Sequence, residues 1–312
     1  MLARIPPRRL TADRARQGTY SIVARDPDTG ELGVAVQSHW FSVGPIVPWA
    51  RPGVGAVATQ ANAEISYGPR GLELMAAGLD ASAALERLLA EDSAAATRQV
   101  AMVDARGGIA AHTGTSCIPF AGHVTGTGVS CQANIMASDS VWPAMLEAYR
   151  QHTGPLRDRL LSALDAAEAQ GGDIRGRQSA AILVVPGDGP AWDTVVALRV
   201  EDDPEPLGEL RRLVELDDAY ALASRADELT GQGRHDEAAE AFQRAGQLAP
   251  NNHELLFWGG LGAAHSGDLE LGLTLVRRAI ELQPGWAELL PRMPPEIAPS
   301  AAAVHARLTQ SG

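Results

Sequence analysis

A chain of 312 residues that is 45% hydrophobic has enough apolar material for one large domain and a small one, which excludes disorder as its main state. All 26 basic residues are arginine, and 38 acids leave a net charge of −12, which argues against general nucleic-acid or anionic-membrane binding. No apolar run approaches the ~20 residues of a membrane span.

Residues 1–18 hold five arginines and Pro6-Pro7 without the apolar centre of a signal peptide, so a flexible arm or propeptide is expected. Residues 19–25 and 31–37 carry β-formers around Asp26-Pro27-Asp28-Thr29-Gly30, which reads as a hairpin. Residues 54–60 read as a third strand. A helical stretch over 69–91 breaks at Gly78, with Asp80 as the N-cap of its second part. Strands follow over 98–104, 108–113 and 128–135. Helices follow over 139–151 and 155–170, the second with Leu156, Leu160, Leu161 and Leu164 on one face. Strands over 178–185 and 193–200 come last, before a helix carrying Leu207, Leu210 and Leu213. Hairpins dominate and simple βαβ alternation is absent. The class is α+β, with antiparallel sheets and segregated helices.

From about residue 219 no strand signal remains, and a 34-residue repeat appears. Gly233 matches Gly267, Ala245 matches Ala279, Leu248 matches Leu282 and Pro250 matches Pro284. Ala238, Phe242 and Ala245 before Pro250 fit part of the tetratricopeptide pattern. The expected organisation is an arm over 1–18, a main domain over 19–216, an all-α helical-repeat domain over 217–293 and a loose tail over 294–312. The repeats are expected to dock on the first domain or on a protein partner, or to support a homodimer.

Four stretches are more polar and glycine-rich than strands require: Thr19-Tyr20-Ser21; Gln37 to Gly44, with Ser38 and His39; Thr59 to Asn62 running on to Tyr67 and Arg70; and Gly171 to Ala181, with Asp173, Arg175, Gln178 and Ser179. Arg175 two residues from Asp173 reads either as a loop-bracing ion pair or as a fork for a carboxylate. Cys117 and Cys131 lack metal-ligand spacing and no H-E-x-x-H occurs, so no metal and no cofactor are expected. Two reduced thiols and a cytoplasmic location are the accompanying expectation.

The stretches TYSIVARDPDTGELGVAVQSHWFSVG, VPWARPGVGAVATQAN, YGPRGLELMAAGL and GGDIRGRQSAAILVV, in this order, resemble the domain-of-unknown-function 1028 family over about residues 19–216. That family is grouped with the N-terminal-nucleophile (Ntn) hydrolases, and the resemblance implies a four-layer αββα sandwich. It also implies that Thr19, once first in the chain, is the nucleophile with its own α-amine as base. Gly18-Thr19 looks like a processing site of that kind. Many relatives carry Ser-Lys-Phe-Phe where this chain has Ser38-His39-Trp40-Phe41.

The expectation is therefore an amidohydrolase cleaving a small amide or peptide-like C–N bond. Thr19 is the nucleophile, Ser21 its substitute, and Ser38 and His39 assist. Asp173 and Arg175 belong to the catalytic set. Asn62 and Asn134 are oxyanion or amide donors, and Tyr67, His112, Gln178 and Ser179 contact substrate. The alternative is a non-catalytic module on the same scaffold that binds a small amide or an anionic ligand through Arg175.

Overall fold

The computed structural model describes residues 18–310, in two compact units that divide between Arg211 and Arg212. The arm proposed for residues 1–18 therefore lies, up to residue 17, outside the described residues, as do residues 311–312.

In chain order the first unit contains β1 (Thr19–Arg25), β2 (Leu32–Ser38), β3 (Pro48–Arg51), β4 (Gly55–Ala61), α1 (Tyr67–Ala76), α2 (Ala81–Glu91), β5 (Arg98–Asp104), β6 (Ile109–Thr113), β7 (Gly122–Gly126), β8 (Val129–Asn134), α3 (Val141–Gln151), α4 (Leu156–Ala169), β9 (Ser179–Val185) and β10 (Val196–Val200). The first hairpin closes because the Asp26 carboxylate accepts from the backbone N–H groups of Asp28 and Thr29, while Gly30 takes a left-handed φ of 77°. Asp80 caps α2 as expected, accepting from the Ala83 N–H at 2.8 Å.

The strands form two antiparallel sheets, ordered β10-β9-β2-β1-β8-β7 and β3-β4-β5-β6. Alternation along β1 sends Thr19, Ser21 and Val23 one way and Tyr20 and Ile22 the other. Val23, Val34 and Val36 of the first sheet pack against Ala56, Ala58, Ala101 and Val103 of the second. The alanines keep this shared core thin. On its other face the first sheet carries α3 and α4. The second carries α1 and α2, whose Tyr67, Leu72, Met75, Leu85 and Leu88 bury against Val57, Val100 and Met102. Strands β3 and β7 are absent from the sequence expectation. Both are short edge strands, one opening on Pro48 and the other bounded by Gly122 and Gly126, where little periodicity is available.

The helical region contains α5 (Pro206–Gly231), α6 (His235–Leu248), α7 (His253–His265), α8 (Leu269–Leu282), α9 (Gly285–Leu289) and α10 (Ala301–Gln310). The turns before α6 and α8 pass through left-handed Gly233 and Gly267, the matched glycines of the repeat. Helices α7 and α8 cross closely: a Cβ on Gly260 would lie 2.8 Å from Val276 Cγ2. Trp286 stacks on Phe257 with ring centroids 4.3 Å apart. The tail from residue 294, expected to be loose, instead carries α10. Ala301 and Val304 bury into the same core as Phe257 and Val276, which is what orders it. Among the described residues no helix is long and apolar enough to cross a membrane.

Candidate active site at the Thr19 end of the sheets

The register of the first sheet places Ser179, Ser38, Thr19 and Asn134 in one row, because Ser38 pairs with both Ser179 and Thr19 and Thr19 pairs with Asn134. On the facing sheet Gln60, Gln99 and Thr113 form a second row. Two polar rows thus meet at one end of an otherwise aliphatic interface.

Thr19 is fully buried, and its Oγ1 lies 3.0 Å from Ser38 Oγ. Ser38 Oγ donates to the Gly18 carbonyl at 2.5 Å, and Arg175 Nη2 donates to the same oxygen at 3.0 Å. The Arg175 fork also holds Asp173, Nε to Oδ1 at 3.0 Å and Nη2 to Oδ2 at 2.7 Å. Asp173 further accepts from the backbone N–H of His39 at 3.2 Å. The loop-bracing reading of this pair therefore describes the intact chain. The fork faces Asp173 and Gly18, which leaves little of it for a carboxylate ligand.

Behind Thr19 lies a network of side-chain amides. Gln60 Nε2 and Asn134 Nδ2 donate to the Thr19 carbonyl at 3.2 and 3.4 Å. The same two groups donate to Gln99 Oε1 at 2.8 and 2.9 Å. Gln99 Nε2 in turn reaches Thr113 Oγ1 and the carbonyls of Gly122 and Ala133. Ser21 donates to Gln60 Oε1 at 2.6 Å and accepts from Gln132 Nε2 at 2.6 Å. It sits one step deeper on the strand, with its hydroxyl fully engaged. Buried polar groups are tolerable here because nearly every donor and acceptor has a partner.

The remaining residues singled out from the sequence lie as follows. Ser179 Oγ donates to the Trp40 carbonyl and accepts from the Val43 N–H, so it braces the turn after β2. The ring of His39 sits against the Arg177 carbonyl at 3.3 Å. Gln178 is half-buried and donates to Asp202. Asn62 donates to Thr97 Oγ1, and His112 Nε2 lies 2.8 Å from the Ala95 carbonyl, so both serve the 95–98 turn. Tyr67 is buried under α2, donating to the Leu88 carbonyl and to Asp92. Burial first, then the Asp92 carboxylate, push its phenol well above the ordinary range. Tyr67, Asn62 and His112 thus stand outside the cluster around Thr19. Gln60, Gln99 and Gln132 stand inside it; Gln60 falls within the polar stretch Thr59 to Asn62, whereas Gln99 and Gln132 sit in strands that read from sequence as plain alternation.

On the helix side of β1, Tyr20 donates to Glu168 at 2.5 Å, and Glu168 accepts from Arg177 at 2.5 Å. This ties the start of β1 to the loop bearing Asp173 and Arg175. The backbone at this end is strained. The non-glycine residues with left-handed φ among those described are Ser42, Ala61, Phe120 and Ile135. Ala61 follows Gln60, Ile135 follows Asn134, Ser42 lies in the turn after Ser38, and the Phe120 carbonyl accepts from Met136. Such conformations cost about 1–3 kcal/mol each and persist where surrounding structure imposes them.

No curated protein matches the chain. A solved structure that it resembles is that of a Silicibacter pomeroyi protein described by the DUF1028 family model. The two are 34% identical, and the match covers 64% of this chain and 88% of that one at a TM-score of 0.58. The family of unknown function DUF1028 matches over residues 19–210, beginning at Thr19 itself, and the chain belongs to that family.

Proposed function

We propose that this protein is an Ntn-type amidohydrolase that cleaves a small amide or peptide-like C–N bond, with Thr19 as its nucleophile. The observation that carries this reading is the convergence of Ser38 Oγ and Arg175 Nη2 on the Gly18 carbonyl, with the Thr19 hydroxyl 3.0 Å from Ser38. The two sheets between helix pairs support an αββα sandwich of that superfamily. The two helical hairpins that turn on Gly233 and Gly267 support a tetratricopeptide-like region fitted to a protein partner.

In the intact chain the Thr19 nitrogen is an amide and cannot act as a base. Donors on the Gly18 carbonyl polarise the bond that must break. Attack of Thr19 Oγ1 on the Gly18 carbon forms an ester and frees the Thr19 amine. Water then cleaves the ester, giving a Gly18 carboxylate and a free Thr19 hydroxyl. Removal of Gly18 leaves Ser38 and Arg175 aimed at a vacated carbonyl position, where they serve as oxyanion donors for a substrate. The freed α-amine, with an ordinary pKa of ~8, takes the proton from Oγ1. Gln60 and Asn134 fix the Thr19 carbonyl and so the direction of the side chain.

A second reading, a ligand-binding module without catalysis, is favoured by the full burial of Thr19, whose hydroxyl is engaged with Ser38. The two are separated by incubating the purified protein with a panel of small amides. Amine release that disappears in Thr19→Ala supports hydrolysis. Saturable binding with no release in either form supports the module.

A further inference from the structure

A cleft of about 680 Å³ opens where edge strands β6 and β7 meet, with Thr113, Phe120, Gly122, His123, Asp139 and Trp142 among its walls. It is on the same end as Thr19. Gly122 pairs with Ala133, the residue before Asn134, and Asn134 pairs with Thr19. Two strand spacings, about 10 Å, therefore separate the cleft wall from the candidate nucleophile. A continuous hydrogen-bonded path joins them: His123 Nδ1 to Thr113 Oγ1 at 2.9 Å, Thr113 to Gln99 at 2.9 Å, Gln99 to Asn134 at 2.9 Å, and Asn134 to the Thr19 carbonyl.

The chemistry of the walls is selective. Trp142 lies over Gly122 so closely that a Cβ there would be 2.5 Å from its ring, and this close approach requires glycine. Phe120, held at a φ of 50°, is 50% exposed rather than packed into the core. Asp139 has neither an ion pair nor a side-chain hydrogen bond among the described residues. No arginine lines the cleft, and the chain has no lysine. Burial, and then neighbouring His112, push the His123 imidazole down, so it adds no charge at neutral pH. Aromatic faces with one unpaired carboxylate and no cation suit an ammonium group on an apolar body, and they disfavour an anion. The net charge of −12 steers the same class of ligand.

The geometry points to this cleft as a subsite for a cationic, amine-bearing group attached to a flat apolar body. It rests on the reading of Thr19 only for the further step that this group belongs to the substrate whose C–N bond Thr19 attacks.

Binding can be read without turnover. Titration calorimetry of the purified full chain with benzyltrimethylammonium, benzyl alcohol and benzoate compares cation, neutral body and anion. The expected result is binding of the ammonium roughly tenfold tighter than the alcohol, a difference of about 1.4 kcal/mol, with benzoate weakest. Asp139→Asn should bring the ammonium down to the level of the alcohol, and Phe120→Ala should weaken both. Asp139 is exposed, so its variant is expected to keep the far-UV spectrum and melting point of the wild type. Equal affinity for the three probes, or a cation preference that survives Asp139→Asn, overturns the proposal. Failure of the hydrolase reading would instead appear as absence of amide turnover with this binding pattern intact.

Discussion

The hydroxyl of Thr19 lies 3.0 Å from that of Ser38, and Ser38 is also the donor that holds the Gly18 carbonyl at 2.5 Å. One serine therefore touches both the carbonyl to be attacked and the hydroxyl that would attack it. That separates the two side chains by experiment. Thr19→Ala removes the attacking oxygen but leaves the Ser38 donor in place. The loss of one buried hydrogen bond should cost about 1 kcal/mol, a melting-point shift of roughly 2–4 °C, with the fold retained. Ser38→Ala keeps the attacking oxygen but removes a carbonyl donor, and processing and amide turnover should each slow by roughly 100-fold or more.

Gln99 is the junction of the buried network, bonded to Gln60, Asn134 and Thr113 and to the carbonyls of Gly122 and Ala133. Gln99→Leu keeps the approximate volume and strands those partners. Each stranded group costs about 1–3 kcal/mol, so the first unit should lose several kcal/mol by denaturant titration. The same variant should impair turnover through the Thr19 carbonyl even under conditions where it is folded.

Much of this arrangement is legible in the sequence, and the omissions have a common cause. Asp26 to Gly30 announces the first hairpin, and Asp80 announces the start of α2. The inward polar row of the second sheet, Gln60, Gln99 and Thr113, is not announced. A strand written R-Q-V or T-Q-A reads as ordinary alternation with a solvent face, and the second sheet and the helix layers turn both faces inward. His112 and Thr113 show how narrow the margin is. Thr113 pairs with Gln99 and joins the network, whereas His112 pairs with Val100 and faces the α1–α2 layer. One residue of register decides which side chain belongs to the site. Tyr67 stands out in the sequence as a polar aromatic near glycines, yet its ring is core and its hydroxyl serves Asp92. Helix α10 is hidden by an Ala/Pro-rich composition, and its buried face is Ala301, Val304 and the partly buried Leu308, while Ala302, Ala303 and Ala306 face outward.

The Asp92 carboxyl gives a pH signature. Burial alone would raise it, but Arg98 at 2.8 Å, the Ala94 N–H and the Tyr67 hydroxyl together hold it below its ordinary value. A depressed carboxyl contributes stability that is complete above about pH 4 and is lost as pH falls through the lowered folded-state value. Asp92→Asn should therefore be less stable at pH 7 and show a shallower loss between about pH 4 and pH 2. Denaturant midpoints across that range check it, and parallel slopes in the two proteins would contradict it.

In the helical region the α7–α8 crossing depends on Gly260 and Gly272, each of which meets the other's carbonyl. Gly260→Val should force the helices apart and cost about 1–3 kcal/mol by overpacking. A melting curve that follows the helical transition should show it, with amide turnover by the first unit unchanged.

The central claim is that Gly18–Thr19 is cut to free a nucleophile. Intact mass spectrometry of the purified protein tests it most directly. The expected spectrum shows a chain beginning at Thr19 in the wild type and a full-length chain in Thr19→Ala. A wild-type chain that keeps residues 1–18 through prolonged incubation, while a panel of amides stays intact, would contradict the account.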